Sequence, residues 1–263
     1  MFFQFAVEIA LALWVIAIGI VIEQWRSVTP FSLAALRLNV PYQIPFKLAG
    51  VVFMPPVVLI ASRAVSAAGG GFIALPQTGW LIVPGVIAYT IAMDFAEYTF
   101  HRAQHAIPLL WALHSFHHSD PMINVSTTER HFWGDRFLKT VSVYAVVLIV
   151  LRPSAAILLA YAATTYWNDF VHMNLRVGFG RWSWLINSPQ YHRLHHSRRI
   201  EDQNRNFAAL FPIFDVLSGT YVRPKSGDYP PTGLADGDKP AGLVEAVMWP
   251  MRGVLRRFLP RAA

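Results

Sequence analysis

The chain has no cysteine among its 263 residues. This excludes a disulfide framework, a thiolate metal site and a cysteine nucleophile. Charged residues are also scarce, because they make up 14% of the chain where an average soluble domain has about a quarter. Hydrophobic residues make up 54%, and the mean hydropathy is +0.38. Since the apolar residues come in long runs, we expect a multi-pass membrane protein.

The apolar residues are concentrated in four regions, and a full membrane span needs about 20 such residues. The regions are residues 5–25, 46–67, 80–100 and 137–171. Pro55-Pro56 predicts a kink or break in the second region, because proline removes a backbone donor. Arg152-Pro153 interrupts the fourth region and predicts a hairpin of two shorter segments. We therefore expect an all-α, multi-pass helical bundle of about four transmembrane elements in two hairpins.

This pattern divides the chain into three parts. Residues 1–100 are expected to form N-terminal transmembrane helices, and residues 101–222 a histidine-rich region that includes the membrane hairpin 137–171. Residues 223–263 form a basic tail that ends in "AGLVEAVMWPMRGVLRRFLPRAA". This ending predicts either an interfacial amphipathic helix interrupted at Pro250 or a frayed basic end.

Charge predicts the orientation in the membrane. The net charge is +7, and 18 of the 22 Lys and Arg residues follow residue 100. The loop expected at residues 26–47 is basic, whereas residues 68–79 carry no charge. Because basic loops stay in the cytoplasm, we expect the N-terminus outside and every histidine on the cytoplasmic side. The basic residues are scattered among apolar ones, so we expect no nucleic-acid partner.

Histidine is the residue that stands out. All ten histidines lie between His101 and His196, in "HRAQH", "HSFHHS" and "YHRLHHS" among other places. Spacings of three and four residues place imidazoles on one helix face. Three such clusters supply more nitrogens than one tetrahedral zinc uses, so the count indicates two metal ions. The sequence has no HExxH, and a transporter would more often place its ligands within membrane helices.

These motifs resemble the three histidine boxes of the fatty acid hydroxylase/sterol desaturase superfamily of membrane di-iron enzymes. "NDFVHMN" resembles a further histidine element of that superfamily, and "NFAALFPIFDVLSGTY" resembles the segment after its last box. The resemblance covers about residues 94–222. It implies a cytoplasmic, His-rich helical cap that holds a di-metal centre. Carried over by position, the metal ligands are His101, His105, His114, His117, His118, His172, His192, His195 and His196.

Other polar residues are candidates for supporting those ligands. A carboxylate that accepts the outer N–H of a ligating imidazole fixes its tautomer. Residues that contact the ligating imidazoles from outside form an outer layer around the metal site. The candidates for this outer layer are Asn168, His131, Asp94, Glu97, Asp120, Asp169 and Asp215. The alternative is that these carboxylates are ordinary interfacial groups paired with nearby arginines.

The resemblance implies oxygen-dependent oxidation of a lipid C–H bond, a monooxygenase reaction at two Fe ions with O2 as co-substrate. Zinc is expected to replace iron in some preparations, since nitrogen sites bind zinc well. The chain has no haem, flavin or ferredoxin-like motif, so the electrons must come from an external donor of the ferredoxin or cytochrome b5 type with its reductase. A desaturase with the same centre and a non-enzymatic metal-binding or transport protein remain alternatives. We expect a location in the bacterial inner membrane, with the endoplasmic reticulum as the alternative.

Overall fold

The computed structural model describes residues 1–258, most of which are helical. The helices are α1 (Phe2–Arg26), α2 (Leu33–Ala67), α3 (Ile82–Ala106), α4 (Pro108–His118), α5 (Asp135–Lys139), α6 (Ala145–Val150), α7 (Ala155–Ala163), α8 (Thr165–His172), α9 (Pro189–His195), α10 (Ile213–Ser218) and α11 (Leu243–Phe258). One turn of π-helix, Thr140–Tyr144, joins α5 to α6. Two short strands, β1 (Ile73–Ala74) and β2 (Leu151–Arg152), pair in parallel, a detail that the all-α prediction did not include.

Two segments are long and apolar enough to cross a membrane: α1, and the part of α2 from Leu36 to Ala67. The surface of α1 is largely uncovered by the rest of the protein, and its buried residues are Ile16, Gly19 and Glu23. An apolar helix with so little of its surface packed against protein suits a lipid environment.

Helix α2 differs from its prediction in two respects. It begins at Leu33, so the loop expected at residues 26–47 is mostly helical. It also continues through Pro55-Pro56 without a break. Each proline removes a single backbone donor, and the neighbouring hydrogen bonds maintain the helix in apolar surroundings.

A small apolar core joins α3 to the region predicted as a hairpin. Tyr89 and Met93 of α3 pack against Val143, Val147 and Ile157. The chain reverses direction between α6 and α7, next to the β1–β2 pair, and returns through α7 and α8. The end of α8 therefore lies on the same side as the end of α3.

The C-terminal half of α1 is fixed to the histidine-rich region. Gly19 lies so close to Val125 that a Cβ atom there would approach the valine side chain to 2.6 Å. Four residues later, the Glu23 carboxylate accepts hydrogen bonds from the backbone N–H groups of Val125 and Asn174, at 2.7 and 3.0 Å. Only a residue without a side chain permits this approach, so Gly19 positions α1 against the cap.

Helix α11 covers α4 and the first part of α2. Ala246 and Trp249 are buried against Tyr42, Phe46 and Phe116. The helix runs through Pro250 without interruption, contrary to the prediction, and residues 259–263 of the predicted tail lie outside the described residues. Its opposite face exposes large apolar side chains at helical spacing, namely Val244, Met248, Met251 and Leu255.

Arg130 connects α2 to the loop that follows α4. Its guanidinium donates to the Phe116 carbonyl, to Asn39 Oδ1 and to both oxygens of Ser119, at 2.7 to 3.3 Å. The buried Asp120 carboxylate lies 3.9 Å from the same guanidinium. Arg130 thus satisfies acceptors on three segments and balances a buried charge.

We expect Arg130→Met to destabilise the protein by about 3–5 kcal/mol, because it leaves Asp120 buried without its opposite charge. The thermal unfolding midpoint of detergent-solubilised protein measures this loss. Arg223→Met is the matched control, since Arg223 is exposed. An Arg130→Met midpoint equal to that of the control would contradict this account of the cap.

Candidate metal centre

Nine of the ten histidines come together from four places in the fold. They lie at the end of α3, along α4, at the end of α8, and on α9 with the residue after it. Nine of the ten form two groups, and within each group one ring nitrogen per residue lies within 4.8 Å of all the others. Group one is His101, His105, His114, His118 and His195. Group two is His117, His172, His192 and His196.

Each HxxHH motif contributes to both groups. In α4, His114 and His118 belong to group one, whereas His117 belongs to group two. Successive residues on a helix point about 100° apart, so neighbours can reach different centres while residues four apart share one. At α9 the division is reversed, because His195 enters group one and the pair His192/His196 enters group two.

The two groups are in contact with each other. The rings of His118 and His196 stack with their centroids 4.3 Å apart. The rings of His114 and His117 are 5.3 Å apart, as are those of His195 and His196. The arrangement is therefore one compact centre with two nitrogen-rich positions side by side.

Backbone carbonyls fix the tautomers of several rings. The Nδ1–H of His101 donates to the Phe207 carbonyl at 2.8 Å, and that of His195 to the Arg205 carbonyl at 2.8 Å. The Nδ1–H of His172 donates to the Asn168 carbonyl at 2.7 Å. Since a carbonyl only accepts, each of these rings carries its proton on Nδ1 and presents the Nε2 lone pair to the centre.

The contacts around His172 suit a bound cation. Its Nε2 lies 3.2 Å from His117 Nε2 and 3.0 Å from His192 Nε2. A neutral ring with its proton on Nδ1 has one lone pair at Nε2, which can accept from only one of these neighbours. A metal ion among the three nitrogens removes the conflict, because it accepts all the lone pairs at once.

Several buried nitrogens in the centre also have no hydrogen-bond partner among residues 1–258. They are His114 Nδ1, His117 Nδ1, His192 Nδ1, His195 Nε2 and His196 Nε2. Burial, together with repulsion between neighbouring rings, holds the pKa of His114, His117, His192 and His196 well below the usual value. The rings are therefore neutral, which is the form that binds a metal.

The donor set fits transition metals that accept imidazole. Neither group includes a carboxylate or a sulfur among the residues that the structure describes. Nitrogen-only sites of this kind suit Fe, Zn, Cu and Ni, and do not suit Mg or Ca. Two ions with several imidazoles each would use the Nε2 atoms that face one another, together with the unpartnered Nε2 atoms of His195 and His196.

The predicted carboxylates Asp94 and Asp215 support the centre in a different way from the one expected. Asp94 accepts from the N–H groups of Leu210 and Phe211, at 2.9 and 2.8 Å. Asp215 accepts from the N–H groups of Phe207 and Ala208, at 2.9 and 2.8 Å. Both hold the loop whose carbonyls orient the imidazoles, and neither accepts a hydrogen bond from an imidazole.

The structure also gives contacts for the other residues predicted in this outer layer. His131 stacks on His117 with ring centroids 4.0 Å apart, and its Nδ1 lies 3.8 Å from Asp135. Asp169 interacts with Thr128, and Asn168 reaches the centre through its backbone carbonyl.

The other two carboxylates predicted from the sequence also accept hydrogen bonds from groups other than imidazoles. Asp120 accepts from Asn39 and Thr127. Glu97 accepts from the Tyr161 hydroxyl at 3.1 Å. The carbonyls of Phe207 and Arg205 were missed, because every residue has a backbone carbonyl and only the folded structure shows which of them faces an imidazole.

Three cavities surround the centre. A wide cavity of about 630 Å³ opens beside group one, next to Trp111, Trp249 and Arg252. A small central cavity of about 70 Å³ contacts both groups, and its other walls include Glu97, Lys139 and Asn168. A side cavity of about 40 Å³ shares Glu97 and Asn168 with the central one and extends between α3 and α7–α8.

The profile of the fatty acid hydroxylase family matches residues 86–220, slightly more than half of the chain. The chain belongs to the fatty acid hydroxylase family. The matched stretch contains all ten histidines, α4, α8 and α9. The resemblance that the histidine boxes indicated is therefore confirmed.

Curated relatives in this family are lipid-oxidising enzymes by name. The alkylglycerol monooxygenase of Xenopus tropicalis is 28% identical over 150 residues, which is 57% of this chain and 32% of the relative. The human alkylglycerol monooxygenase is 28% identical over 50% of this chain and 29% of its own length. The ornithine lipid hydroxylase of Rhizobium tropici is 28% identical over 59% of this chain and 47% of its own.

These matches cover only part of the relatives. The chain spans about a third of the length of the alkylglycerol monooxygenases and about half of the ornithine lipid hydroxylase. No solved structure is significantly similar to the chain.

We expect this hydroxylase-family chain, once a chelator has removed its metal, to lose stability as the pH falls from about 6.5 toward 4. Burial lowers the pKa of His131 and His195 to about 4 and that of His172 to about 3 in the folded state. In the unfolded chain the same groups titrate near 6.5, so acid protonates the unfolded state first and favours it.

The unfolding midpoint of the chelated protein, measured in steps from pH 8 to pH 4.5, tests this expectation. The midpoint should be flat above pH 7 and should fall steadily below about 6.5. A midpoint that stays constant or rises on acidification would show that the imidazoles are not buried in their neutral form.

Proposed function

We propose that this protein is an oxygen-dependent lipid hydroxylase whose two histidine groups each hold one iron ion. The observation that carries the proposal is the division of nine imidazoles into two adjacent groups, in each of which Nε2 atoms of different rings lie close together. Membership of the fatty acid hydroxylase family and the names of the relatives support lipid hydroxylation. Zinc would fit the same nitrogens in a purified sample.

The proposed ligands are those that the motifs predict. Group one holds one ion through His101, His105, His114, His118 and His195, and group two holds the other through His117, His172, His192 and His196. Bound iron supplies the redox chemistry that reduces dioxygen and breaks an unactivated C–H bond. The reaction consumes one O2, two electrons and two protons, and it yields an alcohol and one water.

The chain's own residues orient the centre and exclude water from it. The carbonyls of Phe207, Arg205 and Asn168 fix three rings through their Nδ1 protons. Asp94 and Asp215 hold in position the loop that carries two of those carbonyls. Outer partners of this kind set ring orientation, and their loss typically reduces metal affinity or activity 10- to 100-fold.

We also propose that the chain is a multi-pass membrane protein with four membrane elements and that the centre faces the cytoplasm. The apolar lengths of α1 and α2 support membrane insertion. The membrane hairpin 137–171 and the region boundaries 1–100, 101–222 and 223–263 form part of this proposal. The exposed apolar face of α11 supports contact of the tail with the membrane interface.

The lipid substrate enters from the bilayer, and the electrons come from a separate donor of the ferredoxin or cytochrome b5 type. The basic excess after residue 100 supports docking of an acidic protein. A bacterial relative, the ornithine lipid hydroxylase, supports a location in a bacterial inner membrane.

The direct experiment supplies ¹⁸O₂ and a reducing system to the iron-loaded protein in lipid vesicles. We expect one ¹⁸O atom in a new lipid alcohol, detected by mass spectrometry. His117→Ala and His195→Ala, which remove one ligand from each group, should abolish the product, whereas the exposed control Arg223→Ala should retain it.

Other outcomes would contradict the hydroxylase proposal in distinct ways. A product that has lost two hydrogens and gained no ¹⁸O would identify a desaturase. Metal flux across the vesicle membrane with no lipid product would favour a transport protein. Retained activity in both histidine variants would exclude the proposed centre.

A further inference from the structure

The cavities next to the two histidine groups have ionisable and polar side chains in their walls, although they lie among the helices expected in the membrane. The central cavity places Glu97, Lys139 and Asn168 opposite the imidazoles. The side cavity adds Thr90 and Trp167 to its walls. Polar and ionisable groups at membrane depth are costly to keep, and they usually mark a path for a polar substrate.

Several of these groups have hydrogen-bonding capacity that the protein does not use. The indole Nε1–H of Trp167 is buried and has no partner among residues 1–258. Glu97 accepts one hydrogen bond, from the Tyr161 hydroxyl at 3.1 Å. The ammonium group of Lys139 has a single ion pair in the described chain, a distant one at 3.9 Å from Asp135.

A salt bridge between Glu97 and Lys139 does not explain why both charged side chains lie in the wall of the central cavity. Glu97 and Lys139 are near enough to attract each other. No direct salt bridge joins them within the described part of the chain, and both face the central cavity. A carboxylate and an ammonium held apart across a cavity leave room for a ligand group between them.

We propose that the lipid is oxidised close to its polar end, and that Glu97, Lys139 and Trp167 hold the headgroup beneath the metal centre. This inference rests on the proposed hydroxylase function and names the part of the substrate that reacts. Glu97 accepts from a hydroxyl or amine of the headgroup. Lys139 and Trp167 donate to its oxygens.

An acyl chain is a poor occupant of these cavities. It would displace water from a carboxylate, an ammonium and an indole N–H without replacing any hydrogen bond. A buried group left without a hydrogen bond is unfavourable, and most of all when it is charged. A headgroup with both donors and acceptors satisfies the same groups and places the neighbouring C–H bonds next to the histidines.

The position of the new oxygen tests the inference. The iron-loaded protein is supplied with ¹⁸O₂ and a reducing system in vesicles made from the total membrane lipid of its host. Fragmentation of the labelled product then locates the oxygen. We expect it in the headgroup, the glycerol backbone or the first carbon attached to them.

A chain-matched pair of probes and a set of variants measure recognition of the polar end. In phosphatidylcholine vesicles, hexadecylglycerol should be oxidised with a lower KM than hexadecyl methyl ether, which lacks the hydroxyl groups. Lys139→Met should raise the KM for hexadecylglycerol about tenfold, and Trp167→Phe about fivefold, with smaller effects on kcat. Lys239→Met and Trp184→Phe are the matched controls, since both residues are exposed.

The outcomes separate this inference from the proposed function. A labelled oxygen in the interior of an acyl chain, or an unchanged KM in both Lys139→Met and Trp167→Phe, overturns the inference and leaves the hydroxylase function intact. Failure of the wild-type protein to form any labelled lipid overturns both. A label near the headgroup, together with a raised KM in the variants, supports both.

Discussion

Nine buried imidazoles are packed into two adjacent groups in which several Nε2 atoms face one another, and this crowding is the constraint on which the rest of the structure depends. Protonation cannot relieve it, because burial and mutual repulsion hold the pKa of these rings below the usual range. Hydrogen bonding between the rings cannot satisfy every contact either, since His172 Nε2 faces two other Nε2 atoms with a single lone pair. Bound metal ions would satisfy these nitrogens, and we regard the fold as a framework that brings the rings together.

The framework works at two distances from the centre. Near the rings, the segment that follows α9 supplies the carbonyls of Arg205 and Phe207, and Asn204 and Asn206 adopt left-handed backbone conformations there. Asparagine tolerates that conformation better than most residues. Farther out, Asp215 ties this segment to α10, while Arg130 and Glu23 attach the cap to α2 and α1. The long helices therefore fix the position of the histidine-rich region.

Much of the candidate centre could be predicted from the sequence, because its determinants are local. Histidines spaced three and four residues apart, as on one face of a helix, can be recognised in "HSFHHS" and "YHRLHHS". The assignment of His117 and His118 to different groups was not readable, since it depends on which helix lies opposite each face. The outer hydrogen bonds were also beyond prediction, because they come from backbone carbonyls rather than from the expected carboxylates.

The fold could be predicted from the sequence to a similar extent. Long apolar runs indicated helices, but the start of α2 was missed because residues 33–47 contain Arg37, Lys47 and two prolines, a composition typical of a loop. That segment is helical because its polar residues have partners in the cap. Asn39 binds Asp120, and Lys47 pairs with Glu129. Such partners become visible only in three dimensions.

The most direct test of the central claim is an anomalous diffraction experiment on crystals of the metal-loaded protein. The account predicts two metal peaks in each chain, one among the imidazoles of His101, His105, His114, His118 and His195, and the other among those of His117, His172, His192 and His196. A single peak, or peaks located away from these rings, would contradict it.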